Sequence, residues 1–224
     1  MTSIAAKERG QKIAEIMFKA GAIHVSRQQP YILAAGWASP VYVDIRLLIG
    51  EPELRQQAVA LATDWMKEAL QTSAFDALVG AETAGIPFAA WIAERTGLKF
   101  RYIRKRPLGI GRNAQVEGGA IDGLNALLVD DLTTDGRSKL NFVRGLRAAG
   151  AHVEHILTIF YHDAFPDAGV RLGQAGLTLH ALATWSDVLA AQDDGQLSTQ
   201  DRQEIERFLS DPVAWSARHG GRSA

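Results

Sequence analysis

From Phe75 onward, short apolar runs alternate with stretches of helical character, and this alternation narrows the fold more than any other feature. Ala77-Leu78-Val79-Gly80 is followed by a helical stretch around Ile86–Thr96, and Phe100–Arg104 reads as a second strand. Ala126–Val129 is a third strand, ending in Asp130-Asp131, and a helix over Ser138–Ala149 is closed by Gly150. His155–Phe160 and Leu177–Leu182 supply a fourth and a fifth strand. Short, largely apolar strands alternating with helices suit a parallel sheet covered on both faces, so the expected fold is α/β with a mostly parallel sheet.

The segments around this core are of other kinds. Residues 3 to 20 read as an amphipathic helix, with Ile4, Ile13, Ile16 and Met17 near helical spacing and Gly21 as a stop. Tyr31–Arg46 holds Gly36, Ser39 and Pro40 and reads as an extended, hairpin-like segment. Glu51–Leu70 returns to helical character, and Ser198–Leu209 reads as a helix with Ser198 as N-cap and Asp201 three residues on. Lys105 to Gly123 reads as a loop with five glycines, Gly109, Gly111, Gly118, Gly119 and Gly123. The chain is expected to form one domain. Residues 1–70 would give N-terminal helices and an extended flap, 75–185 the α/β core, and 186–224 C-terminal helices.

Composition removes several function classes. A net charge of −1 over 224 residues argues against a general nucleic-acid binder. The absence of cysteine removes disulfides, thiolate metal sites and cysteine nucleophiles, and favours a cytoplasmic setting. No apolar run reaches the roughly 18–20 residues that span a bilayer, and Met1 to Gly10 lacks the apolar stretch of a signal peptide, so no membrane association is expected. The six histidines show no ligand spacing, and the five tryptophans read as packing residues.

The chemistry concentrates in Leu127-Leu128-Val129-Asp130-Asp131-Leu132-Thr133-Thr134-Asp135-Gly136-Arg137-Ser138. A buried strand ends in two carboxylates, and a turn with hydroxyls and a glycine then opens a helix. Ligands of open α/β sheets bind beyond the carboxyl ends of strands, and helix-start amides suit a phosphate. Two acids beside such a turn fit a ligand that also carries sugar hydroxyls or a magnesium ion. In the alternative reading, Thr134 or Asp135 merely caps the helix and the acids are solvated.

This segment resembles the phosphoribosyl pyrophosphate (PRPP) motif of type I phosphoribosyltransferases. Three further segments, in order, resemble the orotate phosphoribosyltransferases, most closely those of alphaproteobacteria. Ala35-Gly36-Trp37-Ala38-Ser39-Pro40-Val41-Tyr42-Val43-Asp44-Ile45-Arg46 is similar to their N-terminal signature. Gly80-Ala81-Glu82-Thr83-Ala84-Gly85-Ile86-Pro87 is similar to their pyrophosphate loop, and Arg104 to Gly118 to their catalytic loop. The resemblance runs from about residue 10 to 215.

It implies the type I phosphoribosyltransferase fold, a mostly parallel sheet flanked by helices with an N-terminal hood. It implies transfer of phosphoribosyl from PRPP to orotate in pyrimidine biosynthesis, with Mg2+ and as a homodimer. Arg104 and Lys105 would face pyrophosphate, and Asp130 and Asp131 the ribose hydroxyls, these four carrying the catalysis. Leu132, Thr133, Thr134, Asp135, Gly136, Arg137 and Ser138 would complete the PRPP site. Thr134, Gly36 and Tyr42 would lie at the orotate, and no side chain is assigned as a direct metal ligand. The sequence departs from the family at Leu108 and Ile110, where a lysine and often a histidine are expected, and at Ala84, where many members carry lysine. Arg106 and Arg112 are candidate replacements for the missing cations. These departures leave open a catalytically weakened paralogue that binds PRPP or a nucleotide as a regulator, or an enzyme for another base.

Overall fold

The computed structural model describes residues 4–70, 74–107, 115–165, 168–191 and 195–223. Helix α1 (Ile4–Lys19) buries Ile13, Ile16 and Met17 on one face. An annex of short strands follows: β1 (Ile23–Val25), β2 (Tyr31–Ile32), β3 (Ala38–Ser39) and β4 (Val41–Val43). Strand β1 pairs antiparallel with β4, and β2 with β3, so the extended segment expected over Tyr31–Arg46 holds one hairpin and joins β1 to complete a small double hairpin. Helices α2 (Leu47–Gly50) and α3 (Pro52–Trp65) follow, and α3 runs on into a wider π-turn over Met66–Leu70. Pro52 sits in the first turn of α3, where its missing N–H costs nothing.

The core then alternates β5 (Ala77–Ala81), α4 (Gly85–Thr96), β6 (Lys99–Ile103), β7 (Val116–Glu117), β8 (Asn125–Thr133), α5 (Arg137–Ala148), β9 (His152–Tyr161), α6 (Ala168–Gln174) and β10 (Thr178–Thr184). Helices α7 (Trp185–Ala190), α8 (Thr199–Ser210) and α9 (Pro212–Arg218) follow. The sheet order is β10-β9-β8-β5-β6-β7, parallel except at β7. The type I phosphoribosyltransferase architecture expected from the sequence is therefore present, with β7 as an antiparallel edge.

Successive residues of a strand point to opposite faces, and both faces here are apolar. Leu78, Leu127 and Val129 join Phe88 and Ile92 of α4 and the apolar residues of α1 and the annex. Val79, Ala126 and Leu128 join Phe142, Val143 and Leu146 of α5. Strand β8 does not stop at the acids: Asp130 pairs with Thr158 and Thr133 with Tyr161. By the pleat, Asp130 shares the α5 face with Leu128, and Asp131 shares the annex face with Val129.

The annex hangs on the C-terminal helices. Arg27 makes two bonds to Asp201 at 2.9 and 2.7 Å, and Trp37 stacks on Phe165 at 4.8 Å between centroids. Ser216 Oγ accepts the Ala38 amide at 2.9 Å and donates to the Arg222 carbonyl, while the Arg222 amide donates to the Gly36 carbonyl at 2.8 Å. Ser198 and Asp201 form the expected capping box of α8. Trp37, Trp65, Trp185 and Trp215 are buried packing residues.

Candidate active site

A cleft of about 560 Å³ opens at the carboxyl ends of β5 and β8, a size usual for small-molecule sites. Asp130, Asp131, Leu132, Thr134, Asp135, Gly136, Arg137 and Ser138 line it from below, with Lys105 at one rim and Tyr42 from the annex. Three residues expected at the site do not line the cleft. Thr133 is buried, with no hydrogen-bond partner for its hydroxyl among the described residues. Gly36 turns the annex hairpin, its amide donating to the Leu33 carbonyl at 2.8 Å. Arg104 is held by Glu117 of β7 at 3.2 Å and lies over the Tyr102 ring. Leu108, Ile110 and Arg112 lie outside the described residues.

The two acids have different surroundings. Asp130 Oδ1 accepts the Asp131 amide at 2.9 Å, and its Oδ2 accepts from Lys139 Nζ at 2.6 Å. Asp131 lies beside that carboxylate and is held above the usual carboxylate range, first by burial and then by the charge of Asp130. Helix α4 begins close against this pair. A side chain at Gly85 would come within 2.4 Å of the Val129 carbonyl, so only glycine fits there.

Gly136 opens α5 at φ +76, a conformation that other residues rarely adopt. Asp135 does not cap α5, whose N-cap is Gly136 with no side-chain cap bond; its Oδ1 accepts the Arg137 amide two residues on, at 3.2 Å, within the turn. Its other oxygen pairs with Arg137 Nε at 2.8 Å, so the acid in the phosphate turn is neutralised within the turn. Arg171 of α6 donates to the Asp135 carbonyl at 2.7 Å and pins the outer edge.

The remaining wall brings in residues that the sequence reading did not single out. Arg46 forks onto Asp44 at 2.6 and 2.8 Å and donates to the Tyr42 hydroxyl at 2.9 Å. Asp44 keeps Arg46 firmly charged, and Arg46 holds Asp44 below the usual carboxylate range. Tyr42, Asp44 and Arg46 are spaced by two, which was a legible signal for one face of an extended segment. Glu82 Oε2 accepts the Lys105 amide at 2.6 Å, and the Glu82–Thr83 peptide is cis. His162 follows β9 and lines the cleft, buried and pushed down to about 4 by that burial. The Trp185 indole donates to its Nδ1 at 3.2 Å. An indole only donates, so Nδ1 is the bare nitrogen and Nε2 carries the hydrogen of the neutral ring.

An acid pair on a central parallel strand, running straight into a glycine turn beneath a small hood, places the molecule among type I phosphoribosyltransferases. No protein-family model matches the chain. Over 210 residues it is 43% identical to the orotate phosphoribosyltransferase of Rhizobium rhizogenes, covering 93% of this chain and 90% of the relative. It is 45% identical over 211 residues to that of a Ruegeria species, covering 94% and 93%. Among solved structures it is similar to orotate phosphoribosyltransferase from Aeropyrum pernix, with a TM-score of 0.68 and 29% identity over 80% of this chain and 97% of that one. The chain belongs to the orotate phosphoribosyltransferase family.

Proposed function

We propose that the chain transfers the phosphoribosyl group of PRPP to orotate, giving orotidine 5′-phosphate and pyrophosphate in pyrimidine biosynthesis. The observation that carries this reading is the single cleft joining the acid pair, the phosphate turn and the hood. A ring nitrogen of orotate bonds to C1 of the ribose as the C1–oxygen bond to pyrophosphate breaks, and the nitrogen's proton leaves. Asp131 and Asp130 accept from the ribose hydroxyls. Thr134, Gly136, Arg137 and Ser138 cradle the 5-phosphate. Lys105 stands where negative charge builds on the departing pyrophosphate, and Arg104 joins it by exchanging Glu117 for the substrate. Tyr42 and the charged Arg46 form the wall against which an anionic base would lie.

Mg2+ fits this arrangement as a passenger of the substrate. Among the described residues no three His, Asp or Glu side chains converge to hold a metal. Magnesium commonly binds through substrate phosphates and one or two carboxylates, with waters completing its shell. When bound, it supplies positive charge to the pyrophosphate. We further propose a homodimer and a cytoplasmic setting, on the family resemblance.

Purified protein with orotate, PRPP and Mg2+ should consume orotate and release pyrophosphate in equal amounts. Consumption of another base in its place would overturn the substrate assignment. Leu108 and Ile110 favour one second reading, a PRPP-binding protein with weak turnover. If those positions limit the rate, Leu108→Lys with Ile110→His should raise kcat more than it changes PRPP affinity. If Arg106 and Arg112 already supply the charge, the double change gains nothing and Arg112→Ala is severely damaging.

A further inference from the structure

The buried face of α5 presents Phe142, Val143 and Leu146, and with them one cation, Lys139. Its side chain is only 5% exposed. An ammonium in such a place is strongly penalised unless it is paired and hydrogen-bonded. Lys139 Nζ donates to Asp130 Oδ2 and to the Leu132 carbonyl, each at 2.6 Å, with Ser138 Oγ at 3.4 Å. Asp130 and Leu132 stand where the chain enters the turn, and Lys139 stands just past its exit. The six residues Thr133–Ser138 are therefore tied together at the neck by one side chain. Because Asp130 is bonded through both oxygens, its carboxylate has a fixed orientation. Asp131 projects from the opposite face of β8, the side where the charge of Arg46 is felt.

We propose that Lys139 is a positioning residue: its ammonium clasps the neck of the phosphate turn and fixes Asp130, so that Asp131 and the turn meet the sugar phosphate already arranged. The proposal rests on the PRPP reading of the cleft for its ligand, and on the bonds just described for its geometry.

The absence of cysteine allows a direct test. Lys139→Cys creates a single thiol. Alkylation of the unfolded protein with 2-bromoethylamine, followed by refolding, rebuilds an ammonium on an arm in which sulfur replaces one methylene. This protein, its unmodified Cys parent, Lys139→Met and the parent chain are compared in two ways. Amide exchange across residues 133–138 is followed without ligand, and PRPP binding with Mg2+ and orotate KM are then measured. Lys139→Met should speed exchange in the turn by about tenfold. It should weaken PRPP by about 30-fold, as loss of a charged hydrogen bond does, while orotate KM moves less than about threefold. Aminoethylation should restore most of both losses.

A folded Lys139→Met protein with parental exchange in the turn and PRPP affinity within about threefold would overturn the clasp. So would an aminoethylated protein no better than its unmodified Cys parent. If Lys139→Met fails to fold, the comparison of modified with unmodified Cys decides. If the parent chain binds no PRPP, the phosphoribosyl reading fails, and the exchange comparison still decides whether Lys139 holds the turn.

Discussion

The floor of the cleft rests on strands of five to ten residues, whereas its roof rests on strands of two and three. In the floor the reacting groups sit within or just beyond a hydrogen-bonded ladder, with apolar packing on both faces. In the roof, Tyr42 and Arg46 stand on a double hairpin fastened mainly to other elements: Asp201 and Ser216 on the C-terminal helices, and Phe165 after β9. The difference teaches that sugar-phosphate binding and base binding are separable here. Damage to the floor should cost PRPP, and damage to the roof should cost orotate.

The largest expected effect lies in the floor. Replacing Asp130 and Asp131 together by Asn should weaken PRPP–Mg2+ binding by about 10²–10³-fold, read by calorimetry. Unchanged affinity would remove the acid pair from the sugar site and end the comparison.

Next is a pH effect on stability. His162 is held at about 4 in the folded chain against 6.5 ordinarily. As pH falls through 6.5 the unfolded chain takes up the proton first, so stability declines from there to about 4 and then levels off. The loss should be roughly 3 kcal/mol, read by denaturant unfolding. A His162→Phe variant should lack that component, and a parental slope in the variant would place the protonation elsewhere.

A smaller effect tests the roof's attachment. Asp201→Ala removes the Asp201 side-chain half of the α8 capping box and the fork to Arg27, leaving the Ser198 cap in place, and should cost about 1–2 kcal/mol in thermal unfolding. Orotate KM should rise several-fold with PRPP KM unchanged. Equal rises in both would show that roof and floor are coupled. The smallest effect is that of Tyr42→Phe, which removes an acceptor from Arg46. It should raise orotate KM by about fivefold, the worth of one ordinary hydrogen bond, and leave PRPP binding as it was.

The floor was more legible in the sequence than the roof, for physical reasons. Unbroken apolar runs report burial on both faces, and Asp130-Asp131 stood out because carboxylates interrupt such a run. The strand boundary did not show: β8 continues to Thr133 because its ladder with β9 uses backbone groups, which are blind to side-chain polarity. Strand β7 is two residues inside a glycine-rich loop, too short to carry a period. Lys139 leaves a trace in the sequence, a lysine three, four and seven residues before Phe142, Val143 and Leu146. Such a position on an apolar helical stripe calls for a buried partner. Arg104 shows the opposite limit. Its motif gave the position, but its bond to Glu117 depends on an edge strand that no motif announced.

The attachment of Gly36 and Ala38 to residues 216–222 bears on how the protein comes into being on the ribosome. Chains emerge amino end first, and residues 23–46 leave the ribosome long before Ser216 and Arg222 exist. Until those residues appear, the Ala38 amide and the Gly36 carbonyl lack their native partners. The nascent protein can therefore assemble a sugar-phosphate floor while its base-binding roof still waits, and the roof gains its anchor only once residues 216–222 have been translated.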